Sequence, residues 1–521
     1  MHLFTTTAGL HCYLERQGPG KEVGLVTTMG ALHSGHLSLI ERARRENSLV
    51  IVSIFVNPLQ FAPTEDFQEY PRGLAQDQEL CQQIGVDAIF APTVDQLYGD
   101  NPMPTADKGD ELTQVIPPKA MTSFLCAVSR PGFFRGVATV VVKLLNLVRP
   151  NRAYFGQKDA QQLAIIQRMV ADLKLPVTIV PCPIVREKSG LACSSRNQYL
   201  TPEQKAQASL LYKGLRSAQK AFQDGLCDRI NLIERVRSEL AGTQDIQVEY
   251  VELVHPVTLT PLEQVEEQGL LAIAVHLGTT RLIDNILLSH RKPIVAIDGP
   301  AGAGKSTVSR LVAKELGLMY LDTGAMYRAV TWRVLKAGID LEDEPAIAEL
   351  VSKCTINLTN NQPGESGIQV WVDGEEVTQV IRSQSVTAKV STVAALSSVR
   401  RELLKQQQRW GRQGGVVAEG RDIGTHVFPN AEVKLFLTAS VQERARRRQQ
   451  DLKNRGQEVS LEQLEQEIQQ RDLKDSTRAV APLRKAADAI EVQTDGMTIA
   501  EVTDYLVNIY QKIRERESPL F

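Results

Sequence analysis

The 521-residue chain is poor in the features that would tie it to a membrane, an oxidising compartment or a polyanion. No apolar run approaches the roughly 20 residues that a helix needs to cross a bilayer. Its 7 cysteines are an odd number and form no CxxC pair, which argues against a disulfide framework and for a reducing compartment. The N-terminus "MHLFTTTAGLHCYLERQG" has no basic stretch followed by an apolar core, so no secretory signal is expected. Charge of neither sign dominates: 59 Lys and Arg face 61 Asp and Glu, a net −2, with no bulk attraction to nucleic acid or membrane. The expectation is a cytoplasmic, soluble protein that binds no nucleic acid and no membrane.

What is present is an enzyme-like balance of 43% hydrophobic and 23% charged residues, over a length too great for one ordinary core. "VGLVT", "LVIVSIFV", "VDAIFA", "RAYFG" and "VTIVPCPIV" are short and apolar on both faces, and helical stretches separate them. That alternation predicts a doubly wound parallel sheet with helices on both sides over 1–190. A smaller α+β subdomain is expected over 191–288, opened by a helix whose start signal is Thr201-Pro202. The polar segment Ser289–Pro293 reads as a linker. A second α/β domain, 289–521, begins with "PIVAIDG". Within it a β-rich insertion is expected at about 355–385 and a helical lid at about 444–480.

"TMGALHSGH", Thr28 to His36, follows the strand "VGLVT" at the place where a doubly wound sheet binds ligands. Gly30 and Gly35 allow close backbone approach, and the helix starting at about Gly35 offers free N–H groups to an anion. His33 and His36 are placed to donate to phosphate oxygens. An HxxH pair alone is better explained as two helix-capping or surface residues. Zinc is disfavoured, because no further His or Cys cluster completes a ligand set.

Further motifs give the pair its meaning. "VTTMGALHSGHLSLI", "IFVNPLQF", "RPGFFRGVATVV", "YFGQKDAQQL" and "VREKSGLACSSRNQYL" together resemble pantothenate synthetase (pantoate–β-alanine ligase), a nucleotidyltransferase-type enzyme, over residues 1 to about 285. The resemblance implies formation of pantoyl adenylate from pantoate and ATP, then acyl transfer to β-alanine with release of AMP. It implies that Met29, Gly30, Ala31, Leu32, His33, Ser34, Gly35 and His36 contact ATP, with His36 as proton donor. Lys158, Ser195 and Arg196 would hold phosphates from the other side. Gly156, Gln157, Asp159, Val185, Cys193 and Ser194 would complete the nucleotide site. Gln60 and Gln162 would bind pantoate and β-alanine, since neutral amides recognise hydroxyls and carboxylates without adding a competing nucleophile. One departure is visible: Phe133 stands where this family is expected to have histidine. The resemblance also implies a homodimer through this half.

"GPAGAGKS", Gly299 to Ser306, is a phosphate loop between a strand and a helix. Gly299, Gly302, Gly304, Lys305, Ser306 and Thr307 are its expected ATP contacts, with Lys305 on the transferring group and the Ser306 hydroxyl on Mg²⁺. "LDTGAMYRA", "STVAALSSVRRELLKQQQR", "AEGRDIGTHVFPNA" and "RDLKDSTRAVAPL" resemble bacterial cytidylate kinase from about Pro293 onward. The resemblance implies a CMP or dCMP site of Thr323, Arg328, Ser391, Arg400, Arg421, Asp422, Arg471 and Arg478. Arg471 and Arg478 are expected two turns apart on one lid helix. The basic run 444–455 is expected as a solvated lid face. Two other readings stay open: one half is a silent scaffold, or a ligase of other acyl specificity is joined to a broad nucleoside-monophosphate kinase.

Overall fold

The computed structural model describes residues 1–521 except 19, 62–66, 69, 100–111, 244, 361–367, 455, 479–480 and 518–521. Parts of the expected insertion (361–367) and lid (455, 479–480) therefore lie outside the described residues. The chain divides into two compact units, Met1–His290 and Arg291–Phe521.

In the first unit the apolar runs form parallel strands β1 (His2–Phe4), β2 (Val23–Thr28), β3 (Leu49–Ile54), β4 (Ala88–Phe90), β5 (Arg152–Gly156) and β6 (Thr178–Cys182). Their order is β1-β4-β3-β2-β5-β6. β1 was not apparent in the sequence, because three residues carry no periodicity; its pairing with β4 supplies the order. The chain order reverses between β2 and β5, and ligands of such sheets bind beyond the carboxyl ends of the strands at that reversal. A separate apolar cluster fills each face of the sheet.

The subdomain that follows is an antiparallel sheet of β7 (Ile246–Val254), β8 (Gln268–Leu277) and β9 (Thr280–Ser289), covered by two helices. The helix Pro202–Gln223 begins with a reciprocal cap: the Gln204 N–H donates to Thr201 Oγ1 at 3.2 Å, and the Thr201 N–H to Gln204 Oε1 at 3.0 Å.

The second unit is built on a parallel sheet of β10 (Ile294–Asp298), β11 (Met319–Asp322), β15 (Val416–Gly420), β16 (Val433–Thr438) and β17 (Ile490–Gln493), ordered β11-β15-β10-β16-β17. Between β11 and β15 the chain forms a small antiparallel sheet of β12 (Ile356–Asn360), β13 (Ile368–Val372) and β14 (Glu375–Glu376). Two helices, Val441–Lys453 and Leu461–Thr477, occupy the expected lid and share a small apolar cluster around Ala445, Leu464 and Ile468.

The boundary between the two units falls inside the polar segment expected as a linker, between His290 and Arg291, and the residues on either side of it are anchored. Ser289 is the last residue of β9, and the Arg291 guanidinium pairs with Glu432 and donates to the Gly411 carbonyl at 2.8 Å. A short polar run reads as a tether only until its partners, more than a hundred residues away, are known. Each large apolar cluster is confined to one unit. Fragments 1–290 and 291–521 are therefore expected to unfold cooperatively as isolated proteins by circular dichroism. A fragment that is soluble only beside the other would contradict this.

Candidate functional sites

At the β2/β5 reversal of the first unit lies a cavity of about 230 Å³. On one side stand Met29, His33, Gly35 and His36, carried by the β2 turn and the following helix. His33 caps that helix: its Nδ1 accepts from the Gly35 N–H at 3.1 Å, so the ring proton sits on Nε2. The His33 and His36 rings lie 4.0 Å apart, tilted by 35°. Burial, then the charge of Lys158, lowers His33 to about 4. Burial, then His33 and Lys158, lowers His36 to about 3. Both imidazoles are therefore neutral near pH 7. His36 is thus placed to act as a neutral hydrogen-bond donor.

The opposite wall comes from Gly156, Lys158 and Asp159 after β5 and from Val185, Cys193, Ser194, Ser195 and Arg196. Asn285 on β9 donates to the carbonyls of Gln157 (3.0 Å) and Lys158 (2.9 Å), so the subdomain sheet holds the turn that carries the lysine. The Ser194 hydroxyl accepts from the Arg196 N–H at 3.3 Å, and Tyr70 lies 3.4 Å from Ser195 Oγ. Asn285 and Tyr70 gave no sequence signal, because their partners are over a hundred residues distant.

Gln60 and Gln162 also line the cavity. Gln60 ends a short turn packed against the helix Phe133–Val148, and Gly136 permits the approach: a Cβ there would lie 2.2 Å from the Leu59 carbonyl oxygen. That helix adds an apolar wall of Val137, Val140, Val141 and Leu144 beside Phe61. These valines read as ordinary core in the sequence. Phe133 lies under the Arg130 guanidinium, 3.8 Å from its ring centre, an attraction that a charged histidine could not offer.

Gly30, Ala31 and Leu32 do not line this cavity. The Ala31 and Leu32 N–H groups donate instead to the two carboxylate oxygens of Asp77, at 3.0 and 2.8 Å. The Ser34 hydroxyl donates to the sulfur of the lining residue Cys193 at 3.1 Å, and Gln157 is exposed outside the cavity lining.

In the second unit, β10 ends in the phosphate loop. Gly299 has φ +148°, and a Cβ there would fall 2.0 Å from the Leu437 carbonyl oxygen, so only glycine fits. Gly302 and Gly304 turn the loop into the helix Lys305–Leu316, on whose exposed first turn Thr307 stands. Lys305 Nζ donates to the Pro300 carbonyl at 2.7 Å; burial, then Arg421, lowers it to about 7. Ser306 Oγ donates to Glu419 at 2.7 Å. Burial, then Asp322, raises Glu419 to about 7. The Thr323 hydroxyl donates to the Glu419 carbonyl at 2.7 Å, and Arg328 to Thr387 Oγ1 at 2.8 Å.

Arg400 pairs with Asp422 at 2.9 Å and Arg421 with Asp475 at 2.5 Å. Arg478 lies 3.6 Å from Asp422. The lid helix ends at Thr477, so Arg478 caps it rather than sharing a face with Arg471. Arg471 lies among Arg421, Asp475 and Arg448, with burial first and then Arg421 lowering its pKa. Ser391 is exposed on the helix Gln384–Val393, without a hydrogen-bond partner among the described residues. The solvated basic face is corrected at Arg444: it is 4% exposed, pairs with Asp472 at 2.6 Å and donates to the Ala301 carbonyl at 3.1 Å. Tyr327, inside "LDTGAMYRA", stands 5.4 Å from Arg400 and was missed because it reads as core.

A family model described as pantoate-beta-alanine ligase matches residues 2–287, and one described as cytidylate kinase matches 295–512. A bifunctional pantoate ligase/cytidylate kinase of Nostoc sp. (strain PCC 7120 / SAG 25.82 / UTEX 2576) is 60% identical, covering 98% of this chain and 99% of its own. The chain belongs to the bifunctional pantoate ligase/cytidylate kinases. A relative of that name from Trichodesmium erythraeum (strain IMS101) is 58% identical over 98% of each chain. The crystal structure of pantothenate synthetase from Thermus thermophilus is 42% identical, with a TM-score of 0.51, over 55% of this chain and 99% of that one. Among the described residues no helix is long and apolar enough to cross a membrane.

Neutral His33 and His36 have a measurable consequence. Both take up protons in the unfolded chain near pH 6.5 but in the folded unit only near 4 and 3. The unfolded state thus binds more protons below pH 6.5, and stability present above that value is lost as pH falls toward 4. The urea midpoint of the first unit is expected to fall across that window, with a smaller slope in His36→Gln. Equal slopes would contradict the depressed values.

Proposed function

We propose that the N-terminal unit condenses pantoate with β-alanine through pantoyl adenylate, and that the C-terminal unit phosphorylates CMP and dCMP with ATP. One observation carries the ligase reading: His33, His36, Lys158, Ser195 and Arg196 line one cavity together with an apolar wall and the Gln60 and Gln162 amides. A pantoate carboxylate oxygen attacks the α-phosphorus; the bond to the bridging oxygen breaks, and pyrophosphate leaves with the electron pair. Neutral imidazoles and the lysine and arginine cations stabilise the charge that develops on the phosphoryl oxygens, with no proton transferred from the histidines. The valine wall suits the geminal methyl groups of pantoate, and the amides suit its hydroxyls. The β-alanine amine then attacks the acyl carbon, loses a proton, and AMP departs.

In the kinase unit Lys305 and the phosphate loop hold ATP, while Thr323, Arg328, Arg400, Arg421, Asp422, Arg471 and Arg478 surround the acceptor. Ser306 and Glu419 are hard oxygen donors 2.7 Å apart beside the loop, a set that fits Mg²⁺ held jointly with the nucleotide phosphates. When bound, the ion neutralises phosphate charge. Both units carry full donor sets, against the reading of one silent half. A homodimer through the ligase half is part of the proposal and is tested by light scattering of the full chain.

His36→Ala is expected to lower pantoate-dependent exchange between pyrophosphate and ATP by about 10²–10³, the usual loss for one preorganised donor, with CMP phosphorylation intact. Unchanged exchange would refute the ligase assignment.

Asp422→Ala or Arg400→Ala is expected to reduce CMP turnover far more than ATP affinity, and UMP, AMP and GMP to be poor acceptors for the unsubstituted protein. Turnover of AMP equal to that of CMP would leave only a general nucleoside-monophosphate kinase.

A further inference from the structure

We propose that Asp77 is a positioning residue of the ligase half: an internal anion that fixes the loop carrying Met29, His33 and His36. The inference rests on the ligase reading of that cavity. Asp77 is 2% exposed, does not line the cavity, and has no cationic partner among the described ion pairs. Its two oxygens are used on the N–H groups of Ala31 and Leu32. A buried carboxylate without a cation is costly unless backbone donors and a helix N-terminus compensate it. Asp77 has both, because it lies in the first turn of the helix Leu74–Ile84, although burial outweighs the two N–H groups and raises its pKa.

The loop it grips needs such a hold. Gly30 and Ala31 are consecutive residues with φ of +84° and +50°. A left-handed alanine is strained and persists only where its surroundings over-determine it. Two N–H groups presented by consecutive residues in a left-handed turn form an anion-binding concavity. Here a side chain of the protein fills that concavity, so a nucleotide phosphate cannot. On this loop, phosphate recognition then falls to His33 and His36, and Leu32, held by Asp77, directly precedes His33. The carboxylate thus sets how far the imidazoles reach without touching substrate itself.

Asp77→Asn in the full chain replaces one acceptor by an NH₂ group that faces an N–H. The expected result is a fall of about 10- to 100-fold in kcat for pantoate-dependent pyrophosphate exchange, the scale on which a misplacement of about 1 Å acts. KM for pantoate should stay within about 2-fold, because Gln60 and Gln162 stand on other elements, and CMP phosphorylation should be unchanged. Gly30→Ala, whose Cβ would lie 3.0 Å from Asp77 Oδ2, should lower the same kcat. The double variant should lose less than the product of the two effects, since both act through one contact. A kcat within about 2-fold of the unsubstituted protein overturns the inference, as does a parallel rise in pantoate KM, which marks general damage to the unit. Should Asp77→Asn not fold, hydrogen exchange of the unsubstituted protein decides: the Ala31 and Leu32 amides must be protected, and exchange at free-peptide rates overturns the inference. If the unsubstituted protein shows no pantoate-dependent exchange at all, the ligase reading fails instead.

Discussion

Both halves of this protein depend on a buried carboxylate held by two backbone N–H groups. In the first unit Asp77 takes the N–H groups of Ala31 and Leu32. In the second, Asp298 at the end of β10 takes those of Ile423 and Gly424, each at 2.7 Å. Each contact reaches from one strand or helix to the turn of another and pins a loop that no regular hydrogen-bond ladder would hold. The Asp298 contact fixes the π-helical turn Ile423–Val427, and with it the orientation of Arg421 and Asp422 immediately before it. Burial raises Asp298 to about 7 even though the two N–H groups oppose the shift, so the contact carries strong electrostatic tension.

The surrounding charges are arranged for a polyanion. Lys305 is lowered to about 7, and His33 and His36 to about 4 and 3, because burial removes the water that would support their charge. An arriving phosphate replaces that water and accepts hydrogen bonds from these groups. In the kinase unit the lid and acceptor arginines are meanwhile held by carboxylates: Arg421 by Asp475, Arg400 and Arg478 by Asp422, and Arg444 by Asp472. Removing one member of a buried pair of this kind typically costs about 3–5 kcal/mol, because the other charge is stranded. These carboxylates fix the orientation of the arginines. Arg444 also grips the Ala301 carbonyl, which joins the lid helices to the phosphate loop through one side chain.

Local chemistry made much of this legible from residue order alone. The parallel strands, the phosphate loop and the helix start at Thr201 follow from apolar periodicity, glycine spacing and capping rules that act within a few residues. His33, His36, Lys158 and Arg196 were recognisable because each sits in a short motif whose spacing serves one chemistry, and all four line one cavity. Tertiary structure alone decided which donors are free. Ala31 and Leu32 lie in the most telling motif of the chain, yet their N–H groups are spent on an aspartate 46 and 45 residues away. Arg478 follows Arg471 by two helical turns, but the helix ends first and turns Arg478 toward Asp422. Arg444 looked solvated within a basic run, and the packing of two lid helices buries it on Asp472. Sequence spacing dictates which groups share a turn or a face. Burial, protonation and hydrogen-bond partnership are set by what folds against that face from elsewhere in the chain, and for that reason they appear only in three dimensions.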